Sequence, residues 1–309
     1  MTQPLVSGLT IIRNGIRLDY PFLEAIRAAL PICDEFIVVV GDSDDGTREA
    51  VAAIGDPRIR IVDSHWSPWM QPRRCLLAQQ TNIGLNLCRG RWCLYVQGNE
   101  ILHERSLPEL RRLMEVHAED PRIEAMLIER LTFWADYRHV FAVYPQIFKF
   151  SVRIIRPYIG AASIRDAMSF AVFDTLSTRG RYPRAIDTGQ WLHRYADVHL
   201  PDKLKAKGAA VHYADKGPRP DLDDPFHVKF PRAYIRRFAG THPAVMAGRM
   251  AGFPDQYDLD SPKCRTAMGW KERWRTWETA WYHRFGFPRR RACRYELIGD
   301  YLPKPDRPR

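Results

Sequence analysis

Short apolar runs alternate with amphipathic stretches through the first hundred residues. Residues 6–12, 36–40, 58–62 and 92–96 have strand length. Of these, 36–40 (Phe-Ile-Val-Val-Val) and 92–96 (Trp-Cys-Leu-Tyr-Val) run apolar throughout, the mark of strands covered on both faces. Between them, residues 21–30 place Phe22, Leu23, Ile26 and Leu30 at helical spacing, and 47–54 and 76–88 read as further helices. Residues 63–74, punctuated by Pro68 and Pro72, predict an irregular stretch. This alternation predicts a mainly parallel, doubly wound α/β sheet. Beyond residue 105 the pattern gives a helix at 107–117 with Pro108 near its start. Strand-like segments follow at 124–133, 146–150, 152–155 and 211–213, then a loop at 216–225 and a helical C-terminal part. There is no internal repeat or low-complexity block.

Two strand-to-loop junctions carry the candidate chemistry. The run at 36–40 enters Gly41-Asp42-Ser43-Asp44-Asp45-Gly46-Thr47, and the run at 92–96 enters Gln97-Gly98-Asn99-Glu100. Open α/β sheets bind ligands just beyond the carboxyl ends of their strands. Two polar edges about fifty residues apart therefore suggest one nucleotide-type site. A carboxylate among Asp42, Asp44 and Asp45 can accept hydrogen bonds from a base or ribose, or can cap the helix that starts near Thr47. Acidic residues at a strand end can hold a divalent cation, which neutralises a diphosphate leaving group. In the second junction only Glu100 is acidic, and read alone the segment is also an ordinary strand-ending turn.

The chain has 309 residues, 45% of them hydrophobic, enough for one large α/β domain with an appendage. Its net charge of +11 is concentrated at the end: from Lys263 onward there are thirteen Lys/Arg against five Asp/Glu. The six cysteines show no Cys-x-x-Cys pair, which predicts reduced, mostly buried thiols and a cytoplasmic protein. No basic region followed by an apolar stretch opens the chain, so a signal peptide is not expected. No run of eighteen apolar residues exists, so membrane contact is expected to be peripheral at most.

Several segments together resemble glycosyltransferase family 2. They are Val6-Ser7-Gly8 to Ile12-Arg13-Asn14, the Gly41–Thr47 turn with Val40 before it, and Leu77-Ala78-Gln79-Gln80-Thr81-Asn82, followed by the run from Leu94 through Gln97-Gly98-Asn99-Glu100 to Glu104. Further matches are Val152-Arg153-Ile154-Ile155-Arg156, Ile164-Arg165-Asp166-Ala167, Val211-His212-Tyr213 and Gly240-Thr241-His242-Pro243-Ala244-Val245-Met246. The branch resembled is a bacterial one with Gln-Ala-Asp-Glu where other members carry Asp-x-Asp. The resemblance implies a Rossmann-like GT-A fold with a catalytic domain over 1–230. A nucleotide-sugar half would span about 1–105, an acceptor half about 106–230, and a helical basic extension 231–309.

The resemblance also implies inverting transfer of a sugar from a nucleotide-diphosphate donor, UDP- or GDP-linked, to a hydroxyl on a glycan or lipid-linked acceptor, as in envelope or surface glycan synthesis. It places Arg13, Asn14, Asp42 and Asp44 around the nucleoside, Gln79 and Asn82 near its pocket, and Gln97 and Gly98 at the diphosphate. Asn99, Glu100 and the late His212 fall at the position of Mn²⁺ or Mg²⁺, and Asp166 at that of the general base. The branch's usual Asp is Asn99 here, which removes a formal charge. Either metal binding is weakened, or guanidinium groups such as Arg153 and Arg156 take its place, or the site is degenerate. Residue by residue the alternatives are structural: Asp166 beside Arg165 as a surface ion pair, His212 as a satisfied strand histidine, Arg153 and Arg156 as solvated edge residues.

Trp270, Trp274, Trp277 and Trp281 are spaced to share one face of a helix, with Lys271, Arg273, Arg275 and Arg284 around them and Arg289-Arg290-Arg291 after it. The stripe is expected to pack onto the body, and the alternative is the headgroup region of an anionic membrane. No nucleic-acid-binding signature accompanies the basic tail, and no nucleic-acid partner is expected. A non-catalytic GT-A-like nucleotide- or glycan-binding protein is the competing reading. A nucleotidyltransferase is a third, and Arg13-Asn14-Gly15 is a poor version of the phosphate loop it needs.

Overall fold

The structure is a computed structural model that describes residues 3–70, 75–143, 150–174, 179–203, 225–285 and 295–298. Its first part is a parallel ribbon in the order β3-β2-β1-β4, built from β1 (Val6–Ile12), β2 (Glu35–Val40), β3 (Ile59–Asp63) and β4 (Trp92–Tyr95). The crossovers are α1 (Phe22–Ala29), α2 (Thr47–Ala52) and α3 (Leu76–Leu85), and α4 (Leu107–Val116) follows. All begin within a residue of the positions expected from sequence and end one to three residues earlier.

The unbroken apolar runs follow from helices on both faces. Phe36, Val38 and Val40 of β2 join one core with Ile26 of α1 and Leu110 and Leu113 of α4, while Ile37 and Val39 join a second core with Leu85 of α3. Helix and sheet approach most closely at Gly84. A Cβ there would lie 2.2 Å from Leu9 Cδ1 and 2.8 Å from Val39 Cγ2. Gly84→Ala is therefore expected to destabilise the fold by about 1–3 kcal/mol in denaturant titration, because overpacking outweighs the better helix propensity of alanine.

The second part mixes directions. β8 (Phe150–Ile155) lies antiparallel to β4, and β6 (Ala125–Ala135) lies antiparallel to β8. β7 (His139–Phe141) and β12 (Ile235–Arg237) extend that side antiparallel. The long β11 (Arg184–Val198) runs parallel to β6, antiparallel to β5 (Glu100–Leu102) and parallel to β13 (Glu296–Leu297). β9 (Ala161–Ile164) and β10 (Ser169–Val172) form a separate hairpin. The outcome is a mixed α/β fold with a doubly wound, Rossmann-like parallel half.

The part after residue 230 is not wholly helical as expected. β12 and β13 add to the sheet, Tyr234 and Ile235 being buried against Phe141 and Trp134. Most of the expected strand 146–150, the strand 211–213 and most of the loop 216–225 lie outside the described residues. The five cysteines among the described residues are free and four of them are buried. No helix among the described residues is long and apolar enough to cross a membrane.

Candidate functional site

A cavity of about 410 Å³ opens where β1 and β4 end. Ile11, Ile12, Arg13 and Asn14 continue from β1 into its wall, Tyr95, Gln97, Gly98 and Asn99 come from β4 and its turn, and Trp66 closes it from the loop after β3. Leu76 and Leu77 of α3 line another side. The walls are mainly apolar, and among the described residues the charged group in the lining is Arg13. Parallel strands that diverge at their carboxyl ends leave such a crevice, and backbone amides there point outward.

The β1 and β2 loops brace one another at this mouth. Arg13 Nε donates to the Asp42 carbonyl at 3.1 Å, and its guanidinium lies 5.7 Å from the Trp66 ring centroid. Asn14 adopts φ 48°, a left-handed geometry that Asn tolerates, donates from its amide to Ser43 Oγ and accepts from the Asp44 amide. Asp42 stands at the rim, accepting the Trp66 amide at 3.0 Å and facing His65 Nδ1 at 2.7 Å. The Trp66 amide first, and the facing His65, hold its carboxyl below the usual range. Trp66 can lie across the strand end because position 41 is glycine: a Cβ there would sit 2.2 Å from Trp66 Nε1.

Asp44 pairs with exposed Arg17 at 2.9 Å, and Asp45 binds the Thr47 amide and hydroxyl. None of the three Asp side chains lines the cavity: Asp42 holds the Trp66 loop, Asp44 pairs with Arg17, and Asp45 braces the start of α2.

Gln79 and Asn82 do not reach this cavity. They face a different concavity of about 520 Å³, shared with Ser163 and Arg165. Asn82 clamps the β9–β10 hairpin by accepting the Ser163 amide at 2.6 Å and donating to its carbonyl at 3.1 Å. The neighbour that turns inward is Gln80, which the sequence reading did not single out; it is buried and holds Ser64 Oγ at 2.6 Å and the His65 carbonyl at 2.9 Å. Helical periodicity carries that signal: 80 is one step from 76 and 77 on the inward face.

Asp166 sits in the turn of the clamped hairpin, between Arg165 (φ 58°) and Ala167 (φ 50°). Gln97 Nε2 donates to the Ala167 carbonyl at 3.4 Å, which ties that turn to the β4 junction. Two non-glycine residues in the left-handed region, one on each side of Asp166, are backbone strain in this turn.

Glu100 and Arg153 are corrected. Neither is a solvated edge residue or an available ligand. Both are fully buried, and Arg153 grips Glu100 with Nε at 2.7 Å and Nη2 at 2.8 Å. Antiparallel pairing of β4 with β8, and the turn into β5, bring the two together across 53 positions. Burial alone would push the Glu100 carboxyl up, but the charge and hydrogen bonds of Arg153, with Arg130, hold it below its ordinary value. Arg130 is buried with Nη1 3.7 Å from Glu100, and its Nε has no hydrogen-bond partner among the described residues. Burial and the nearby Arg153 lower its pKa to about 9, which leaves it charged at neutral pH. Arg194 adds a third guanidinium charge to the group. Three guanidinium groups against Glu100 and Asp197, which lies 3.8 Å from Arg194, leave one positive charge in excess behind a cavity lined by Tyr95, with Arg153 5.3 Å from that ring.

Arg156 is also corrected. It lies at the opposite end of the sheet, over Trp92 at 4.0 Å, with its donors spent on the carbonyls of His117, Ala118, Asp120 and Ile123.

A divalent cation needs several hard oxygen ligands. At the β4 junction Asn99 Oδ1 is buried without a hydrogen-bond partner, a single neutral oxygen, and Glu100 is committed to arginine. Among the described residues no three His, Cys, Asp or Glu side chains come together as a metal site, and His212 lies outside them. The described residues therefore do not fit a bound Mn²⁺ or Mg²⁺.

No protein-family profile and no curated protein matches this chain. Solved structures do. TarS of S. aureus in complex with UDP is 14% identical, with a TM-score of 0.33, over 50% of this chain and 47% of its own. The mannosyltransferase PcManGT of Pyrobaculum calidifontis, in complex with GDP-Man and Mn²⁺, is 20% identical, with a TM-score of 0.31, over 41% and 36%. Glucosyl-3-phosphoglycerate synthase of Mycobacterium tuberculosis, in complex with Mn²⁺, UDP and glucosyl-3-phosphoglycerate, is 16% identical, with a TM-score of 0.29, over 42% and 44%. This chain spans less than half the length of each of these three.

Beside the junction, β5 and β11 bury a second polar group that sequence reading passed over, the histidines falling at unrelated positions. Tyr195 Oη lies 2.7 Å from His242 Nδ1 and 3.1 Å from His193 Nδ1, while His103 Nε2 meets Thr241 Oγ1 at 3.0 Å. Burial lowers all three histidines, His242 to about 4. Below the ordinary value of 6.5 the unfolded chain therefore binds protons that the native chain refuses. The melting temperature is expected to fall as pH drops from 6.5 toward 4, and His242→Gln to flatten that fall.

Proposed function

We propose that this protein is a glycosyltransferase of GT-A type. It would move a sugar from a nucleotide-diphosphate donor to a hydroxyl acceptor. One observation carries the reading: a mainly apolar cavity at the carboxyl edge of a doubly wound sheet has Arg13 as the charged group in its lining and surplus guanidinium charge behind Tyr95. A nucleoside fits between the apolar wall and the Trp66–Arg13 edge, and a diphosphate fits the positive field. The sequence motifs at the two junctions support the same reading. On it, residues 1–105 supply the nucleotide-sugar half, 106–230 the acceptor half and 231–309 an extension.

In the proposed inverting transfer, the acceptor oxygen attacks the anomeric carbon as the bond from that carbon to the diphosphate breaks. The diphosphate leaves with the bonding pair, and Asp166 takes the proton from the acceptor hydroxyl. The diphosphate charge is balanced by Arg13 and the Arg130–Arg153–Arg194 group.

Isothermal titration with UDP and GDP tests the donor site. One of them is expected to bind, and Arg13→Ala to weaken that binding by roughly tenfold, the worth of one charge-assisted hydrogen bond. Undiminished binding in Arg13→Ala would remove this cavity from the proposal. The non-catalytic reading predicts equal binding but no turnover of any donor.

A further inference from the structure

We propose that the helix Trp270–Phe285 is a docking face for an anionic lipid surface. A helix lying on a globular body ordinarily buries its apolar stripe and shows water its polar side. This helix does the reverse. Trp270, Trp274, Trp277 and Trp281 are 76%, 52%, 49% and 47% exposed. The opposite face meets the body with polar groups: Glu272 pairs with Arg265 at 2.6 Å, its carbonyl accepts Tyr234 Oη at 3.2 Å, and Thr279 is buried. The expected packing of the indoles against the body is thus overturned, because the Glu272–Arg265–Tyr234 contacts fix the opposite orientation.

Three of the exposed indoles adjoin one another in a row. Ring centroids of Trp274 and Trp277 lie 4.9 Å apart, and those of Trp277 and Trp281 5.1 Å. No residue of the helix lines the three concavities at the β4 junction, at α3 or beside Arg232–Arg237. Indoles side by side on one helix face, apolar in the ring and polar at N–H, suit the headgroup boundary of a bilayer. Helical spacing puts Arg273 and Arg284 along one margin, and Lys271 with Glu278 along the other. The chain from Lys263 onward carries thirteen basic residues against five acidic ones. That charge complements an anionic surface. A second copy of the chain would bring this basic margin against itself.

Co-sedimentation of the full chain with vesicles tests the proposal without reference to nucleotide binding. Mixed phosphatidylglycerol–phosphatidylcholine vesicles are expected to pull the protein down, and phosphatidylcholine vesicles are not. The triple variant Trp274→Ser, Trp277→Ser, Trp281→Ser is expected to lose at least about tenfold in vesicle affinity with an unchanged melting temperature, these side chains being exposed. Arg273→Glu should weaken binding to anionic vesicles alone. Failure of the wild type to bind anionic vesicles, or unweakened binding by the triple variant, would overturn the proposal. So would a dimer in sedimentation equilibrium that the triple variant disperses, which would assign the face to self-association.

Discussion

Arg153→Leu is expected to lower the melting temperature by roughly 10 °C, the equivalent of about 3–5 kcal/mol in a chain of this size. The substitution leaves Glu100 buried without the two hydrogen bonds that hold it, against Arg130 3.7 Å away. The pH dependence distinguishes this cause from simple loss of packing. In the wild type the Glu100 carboxyl sits below its ordinary 4.5, so its contribution is present above that value and is lost as pH falls through the lower folded value. In Arg153→Leu burial is no longer outweighed, the carboxyl moves up, and protonation relieves the unpaired charge. The stability gap between the two proteins should therefore narrow on acidification. Adding Glu100→Gln should recover part of the loss, since a neutral buried amide costs less than a lone carboxylate. A change below about 1 kcal/mol, typical of exposed ion pairs, would contradict the buried-pair reading.

Asp166→Asn is expected to lower sugar transfer by about 10²–10⁴-fold, the usual worth of a positioned general base, with donor binding unchanged. The amide keeps the shape of the side chain but cannot take the acceptor proton. Asn82 and Gln97 hold the hairpin at Ser163 and Ala167 and are untouched by the substitution. Kinetics with a donor identified by binding would check this, and transfer at the wild-type rate would remove Asp166 from the chemistry. Gln97→Ala should show a milder loss in the same assay, because it releases one end of the turn while leaving the carboxylate in place.

The parallel half was legible because three of its four strands, β1, β2 and β4, are buried on both faces. Phe36–Val40 and Trp92–Val96 hold no polar residue that would blur the pattern, and turn residues bound each run. The second half was harder. β11 spells Arg-Ala-Ile-Asp-Thr-Gly-Gln-Trp-Leu-His-Arg-Tyr-Ala-Asp-Val, a strand whose polar positions meet partners in β5 and β6 far away in sequence. The β9–β10 hairpin is built largely from small residues with no hydrophobic signature. At the site, Arg13, Asn14, Gln97, Gly98 and Asn99 line one cavity, as their positions after apolar strands suggested. The commitment of Glu100 to Arg153 was invisible because it depends on which strands become neighbours. Helical spacing showed that the four indoles share a face, but not which way that face turns. The turn depends on Glu272 finding Arg265, a contact no periodicity encodes.

The most direct measurement is the melting temperature with UDP, GDP, CDP and dTDP, each in EDTA and in Mn²⁺. A ligand held only by the native state adds about 2.7 kcal/mol of stability at a hundred times its dissociation constant. At least one nucleoside diphosphate is expected to raise the melting temperature, and to raise it as much in EDTA as in Mn²⁺, since guanidinium groups balance its charge. A rise seen only with Mn²⁺ would contradict the electrostatic reading of the cavity. No rise with any of the four at millimolar concentration would contradict the central claim that this cavity is a nucleotide-sugar site.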